Sequence, residues 1–140
     1  MVNRCRYQGY EEAYRKGKRK LNQDLVYTDL SSKAMVEKAV EELKKSGVEC
    51  ILCQDDYICD EAVRKLSHMG VRIPDQMKVA SCHYSRILEN YPVTVTSLKF
   101  NITELGRRSC QVLLDMIHGK TVPDKTLLDY EIILKESTKG

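Results

Sequence analysis

The sequence predicts an α/β fold: a three-layer, open, mostly parallel sheet with helices on both faces, forming one incomplete lobe. Three observations predict it. Short apolar runs such as VECILC and KVASC alternate with longer segments whose apolar residues recur at helical spacing. Gly47 and Met69-Gly70 close two of those longer segments, where helices commonly stop. The chain also opens on a helical segment rather than a strand, so one strand position of the sheet stands empty and leaves an edge that invites pairing.

Each element has its own signal. Residues 4–20 carry Tyr7, Tyr10, Ala13 and Tyr14 on one helical face. DLVYT (24–28) reads as a short strand. Ser31 or Ser32 can cap a helix running to about Ser46, with Met35, Ala39, Val40 and Leu43 as its buried stripe. VECILC (48–53) is the second strand, and the acidic segment after it opens a helix carrying Tyr57, Val63 and Leu66. Pro74 then breaks the chain before a third strand, KVASC (78–82). SRILENY (85–91) reads as a loop, and VTVTSL as a strand. Asn101 and Glu104 have capping-box spacing for a helix over 102–118, whose stripe is Ile102, Leu105, Val112, Leu113 and Met116. LLDYEIILK (127–135) is the last strand.

With 140 residues, 31% of them charged, and a net charge of +3, the chain fits one soluble globular domain rather than a dedicated polyanion binder. No apolar run approaches the ~18 residues of a membrane span, and no apolar segment marks a secretory leader. Of the six cysteines, Cys50, Cys53 and Cys82 lie in strand-like runs, where reduced cysteine packs as a small hydrophobe. A reduced, cytoplasmic setting is expected. RKGKRK (15–20) reads as a solvated last helical turn, its cations facing the negative end of the helix dipole.

The densest chemical cluster is CQDDYICDE (53–61), and most readings of it fail. Cys50 and Cys53 have zinc-knuckle spacing, but on a strand they point to opposite faces, and no second ligand pair exists. A thioredoxin-like pair needs its first cysteine at a helix N-terminus; Cys53 is near one, but its partner lies back in the strand. A Cys53 or Cys82 nucleophile with His83 as base lacks an orienting group, and Asp55 and Asp56 disfavour a thiolate. Phosphate-cradling glycine motifs are absent, so no metal and no cofactor is expected. What survives is position. Ligands of open α/β sheets sit beyond the carboxyl ends of the strands, and Gln54-Asp55, His83-Tyr84 and Thr28-Asp29 all fall there. The plainer role for Asp55 or Asp56 is a helix cap, and a cap at a strand's carboxyl end also faces the cleft.

The stretches Arg6-x-x-Gly9-Tyr10-x-x-Ala13, CQDD, GVRIPDQMKVAS, PVTVTSLKFNITELGRR and LLDYEIILKEST together resemble the LacI/GalR family of bacterial transcription regulators. Specifically, they resemble the second half of its periplasmic-binding-protein-like sensor, which some regulators carry behind a GntR-type DNA-binding head. The resemblance implies the C-terminal lobe of a non-enzymatic sensor for a carbohydrate-like small molecule, usually a homodimer, touching DNA only through a head absent from this chain. It implies that residues 97–120 cross over to complete the other lobe. It also implies effector contacts by Arg6 and Asp55, with Gln54 in place of the family's Asn and His83 in place of its usual Asp. Ile58, Asp60 and Lys135 are further departures. Tyr57, Ile58, Ile87, Leu88 and Tyr91 resemble the surfaces through which members dimerise; ordinary packing beneath the loop is the equal alternative, since scattered apolar residues are normal. The same architecture serves extracytoplasmic solute receptors, which is the alternative reading; a cysteine-dependent enzyme is the third.

Overall fold

The structure, a computed structural model, describes residues 2–139, with side chains from Arg4 onward. Helix α1 (Val2–Lys16) is followed by α2 (Lys33–Lys45), strand β1 (Cys50–Cys53), α3 (Asp56–His68), β2 (Lys78–Ser81), β3 (Thr96–Phe100), α4 (Ile102–Ile117) and β4 (Tyr130–Ile133). Short 3-10 turns lie at Gln23–Leu25, Arg86–Glu89 and Glu136–Thr138. The sheet runs β1-β2-β3-β4, with the first three strands parallel and β4 antiparallel to β3.

Alternation along the strands sets the core. Ile51 and Cys53 of β1, and Val79 and Ser81 of β2, face one side, where Val36 and Val40 of α2 and Cys59, Ala62, Val63 and Leu66 of α3 close over them. Cys50 and Cys82 belong to the opposite face, the side on which the charges of Tyr10 and Arg6 from α1 act on them. That second layer is thin. Neither α1 nor α4 has a fully buried described side chain, and the α4 stripe leaves Ile102, Leu105, Leu113, Met116 and Ile117 exposed.

The helix caps follow the local sequence. Ser32 Oγ accepts from the Met35 N–H, Asp55 Oδ1 from the Ile58 N–H at 2.9 Å, and Asn101 Oδ1 from the Glu104 N–H at 2.9 Å. Gly119, with φ +70, ends α4 in the left-handed region that glycine tolerates.

Two expected elements differ. Residues 24–28 form no strand: the Asn22 side chain caps a 3-10 turn by accepting from the Asp24 N–H, and Tyr27 is bound to Glu42 of α2 at 2.8 Å, which ties the segment to a helix instead of the sheet. Helix α1 stops at Lys16, because Gly17 follows and Lys18 turns left-handed at φ 53. Only Arg15 and Lys16 of the basic run therefore face the helix dipole; Lys18, Arg19 and Lys20 are exposed loop.

The C-terminal turn is wired into the sheet by hydroxyls. Ser137, fully buried, donates to the Val79 carbonyl at 2.6 Å and accepts from the Thr96 N–H at 2.9 Å. Thr96 Oγ1 accepts from the Lys135 N–H and lies 2.6 Å from Thr138 Oγ1, while Glu136 accepts from both the N–H and the hydroxyl of Thr94. Removing the Ser137 hydroxyl orphans a buried donor and a buried acceptor, at a cost of about 1–3 kcal/mol. Ser137→Ala is expected to lose that much in urea unfolding with an unchanged denaturant slope; full stability would show that the turn does not hold the sheet.

Candidate functional site

The carboxyl ends of β1, β2 and β3 lie side by side. The Cys82 N–H donates to the Cys53 carbonyl at 2.8 Å, which extends the parallel pairing one step and sets Gln54 opposite Cys82, the residue before His83. The Tyr84 N–H donates to the Leu98 carbonyl at 2.8 Å, which holds the chain after β2 against the last residues of β3. Gln54, Asp55 and His83 are all half-buried there, forming an open lip rather than an enclosed pocket.

Each lip residue is fixed by its neighbours. Asp55 uses one carboxylate oxygen and its carbonyl to start α3, receiving the Ile58 and Cys59 N–H groups and leaving the second oxygen outside that cap. Ser81 Oγ accepts from the His83 N–H at 3.1 Å and donates to the His83 carbonyl at 2.9 Å, pinning the backbone just before the imidazole. The His83 ring lies 6.4 Å from the Phe100 ring, centre to centre. Arg6 of α1 is half-buried, and its charge pulls the Cys82 thiol down against burial. Thr28 and Asp29 are exposed and make no hydrogen bond to these groups among the described residues.

Beside the lip stands an ionic cluster. Tyr84 donates to Glu89 at 2.9 Å, Lys135 pairs with the same carboxylate at 3.1 Å, and the ammonium groups of Lys135 and Lys99 lie 5.2 and 5.9 Å from the Tyr84 ring centre. Tyr84 and Lys135 hold the Glu89 carboxyl below its ordinary range.

The cysteines behave as packing. Cys53 and Cys59 are buried together, and their mutual contact, with burial, pushes the Cys53 thiol well up. Burial also raises Cys82, against the pull of Arg6. A thiol nucleophile needs the opposite shift. Among the described residues, no group of three or more His, Cys, Asp or Glu side chains is arranged to hold a metal ion.

The expected dimer anchors divide. Tyr57 and Ile87 are each 51% exposed. Ile58 and Leu88 are not: both are buried within this chain's own core, because the start of α3 turns Ile58 inward and the 3-10 turn at 86–89 tucks Leu88 against it. Tyr91 is half-buried, hydrogen-bonded to Asp60 and overlain by Arg64, with its hydroxyl pushed well up by burial and by Asp60.

Phe100 and Lys99 escaped the sequence reading, which ended that strand at Leu98. The signal was present, since β3 runs on through Lys99 and Phe100 before the Asn101 cap.

With this geometry in hand, comparison with known proteins is informative. Residues 2–138 match the model of the periplasmic binding protein-like domain. The chain belongs to this family. It is 27% identical over 135 residues to the HTH-type transcriptional regulator CelR of Thermobifida fusca, covering 94% of this chain and 40% of CelR. It is 26% identical to the HTH-type transcriptional repressor PurR of Haemophilus influenzae, covering 98% of this chain and 43% of PurR. The chain thus spans under half the length of these curated relatives. Among solved structures, a CelR–cellobiose complex superposes with a TM-score of 0.83 at 26% identity, covering 94% of this chain and 41% of that one. CcpA of Lactococcus lactis superposes with a TM-score of 0.88 at 24% identity, over 98% of this chain and 51% of that one. The relatives are LacI-family transcription regulators, and the fold is that of their effector domains.

The thiol environment makes a checkable statement. Exposed Cys5 and Cys110 should alkylate readily at neutral pH, whereas Cys53 and Cys59 should stay unmodified until the chain unfolds, as followed by mass spectrometry after iodoacetamide. Rapid native-state labelling of Cys53 would restore the nucleophile reading.

Proposed function

We propose that this chain is the effector-sensing C-terminal lobe of a DNA-binding transcription regulator, acting in the cytoplasm without catalysing a reaction. Its ligand is a small carbohydrate-like molecule held between this lobe and a second one. The observation that carries this reading is the meeting of Gln54, Asp55 and His83 at adjoining strand ends, where open α/β sheets hold their ligands. An amide and a carboxylate side by side suit a polyhydroxylated molecule. The relatives' names as regulators, and the cellobiose in the CelR complex, support the same class.

The physical role of such a lobe is differential binding. An effector that makes contacts only when two lobes close shifts the population toward the closed form, and so changes the affinity of a distant DNA-binding head by the same coupling free energy. DNA contact belongs to that head and not to the surface described above. The segment 97–120 is the crossing element: α4 is amphipathic yet buries none of its residues here, as a helix does when its partner surface is the other lobe. Tyr57 and Ile87 are the apolar anchors of a homodimer.

Two measurements test the reading. In the full-length protein, Asp55→Asn keeps a good helix cap but removes the carboxylate charge. It should weaken the effect of a sugar effector on operator binding by about tenfold, roughly 1.4 kcal/mol, at an unchanged melting temperature; an unaltered response would remove Asp55 from the site. On size-exclusion chromatography the 140-residue chain should run larger than a monomer through its bare α4 stripe, and Leu113→Glu with Ile117→Glu should return it to monomer size. A wild-type monomer would count against the crossing-helix assignment.

A further inference from the structure

We propose that the basic loop after α1 is a nucleic-acid contact, in which Lys18, Arg19 and Lys20, with Arg15 and Lys16 behind them, grip the phosphodiester backbone of a duplex without reading its sequence. The contact asks for no effector, no second lobe and no DNA-binding head, so it stands or falls apart from the sensor reading.

The positive charge of the chain is concentrated here. Five of the 23 lysines and arginines lie in the six positions 15–20, leaving 18 against 20 acidic residues, so this loop alone makes the net charge positive. No acidic residue lies between Glu12 and Asp24. Glu12 is shared by Arg15 at 3.9 Å and Lys16 at 3.0 Å, while Lys18, Arg19 and Lys20 are exposed and make no ion pair among the described residues. The other surface helices differ. Arg64 and Lys65 of α3, and Arg107 and Arg108 of α4, each hold a carboxylate.

Helix electrostatics explain only two of the five cations, because α1 ends at Lys16 and the chain turns away. The turn is nonetheless held. The Gly17 N–H donates to the Ala13 carbonyl at 3.0 Å, and the Arg19 N–H to the Tyr14 carbonyl at 2.9 Å. Beyond the loop, the Tyr7 hydroxyl donates to Gln23 Oε1 at 2.9 Å and ties the returning chain to α1. Cations on a fixed backbone lose less freedom when they bind. The left-handed position of this turn is filled by Lys18, at φ 53, although glycine takes that conformation without strain and Gly17 stands one residue earlier. A strained lysine kept where glycine fits better points to a use for its side chain.

The composition of the loop selects the partner. Protein interfaces are centred on apolar or aromatic anchors; residues 15–20 contain none, and Leu21 is half-buried. Single strands are held by stacking bases on open aromatic rings. The nearest ring, Tyr14, is half-buried and lies 5.1 Å from Tyr10, centre to centre. A duplex backbone needs neither device, only cations that displace its condensed counterions. Phosphate contacts of this kind position a molecule and carry no sequence information.

The test is fluorescence anisotropy of the 140-residue chain with labelled short duplexes, two DNAs of unrelated sequence and one RNA. Both DNAs should bind alike at about 50 mM salt, with Kd in the range of about 10⁻⁴–10⁻⁶ M and a slope of log K against log salt of roughly −3 to −4. The RNA arm identifies the source of the phosphates: equal binding assigns the backbone alone, and a preference names the duplex. Lys18→Gln, Arg19→Gln and Lys20→Gln together should weaken binding at least about tenfold and flatten the slope by about three. Removing three exposed cations elsewhere, by Arg86→Gln, Lys125→Gln and Lys139→Gln, should change it little. Lys18→Gly separates binding from folding: it should melt at the same temperature or higher, yet lose about one unit of slope. Absent binding at low salt, or equal losses in the two triple variants, would overturn the proposal. So would tighter loop-dependent binding of poly-L-glutamate than of either duplex, which would make the partner an acidic protein.

Discussion

A single buried hydroxyl holds the middle of this molecule together. Ser137 reaches from the C-terminal turn to the Val79 carbonyl of β2 and takes the Thr96 N–H of β3, so it bridges two strands that otherwise share a short register, Ala80 to Thr96 and Ser81 to Ser97. Around it, buried Thr96 meets half-buried Thr138, and Thr94 bonds exposed Glu136 at the rim. At buried Ser137 and Thr96 each unmade hydrogen bond costs more than a made one gains. The consequence reaches the lip. His83 follows β2 and Phe100 ends β3, so their separation is set by how those strands are aligned, and the alignment is enforced by residues more than forty positions further along the chain.

The two faces of the sheet are unequal for a related reason. One face is sealed by α2 and α3, whose apolar stripes meet Ile51, Cys53 and Val79. The other carries exposed Leu52, Phe100, Tyr130 and Ile132. Together with the bare stripe of α4, this amounts to a large apolar area in water, more than a soluble monomer ordinarily shows.

Much of the fold was legible from the chain alone, because the informative signals are local. Ser32, Asp55 and Asn101 cap the helices that the apolar periodicity announces, and β1, β2 and β4 fall inside the expected runs. Illegible parts depended on partners distant in sequence. Residues 24–28 have strand composition, yet Tyr27 found Glu42 and Asn22 found a turn, and no periodicity encodes those contacts. Ile58 and Leu88 looked like exposed anchors because a loop and a helix start are usually outside; their burial follows from the turn at 86–89 packing on α3. At the site, Gln54, Asp55 and His83 could be placed by counting residues past strand ends, whereas Phe100 required knowing that β3 runs two residues longer.

Asp55 stands at the joint between sensing and shape. It is at once the foundation of a helix and, in the function proposed, part of the surface that meets a ligand. Whatever draws on its free oxygen also draws on the first turn of α3, and that turn carries Tyr57 at the proposed subunit contact and, one turn on, Asp60, to which Tyr91 is moored. Signal and scaffold here share a carboxylate. In the proposed dimer, the path from an occupied cleft to the neighbouring subunit need not thread the core: α3 would be a rigid rod gripped at one end, whose small rotation a second subunit could feel.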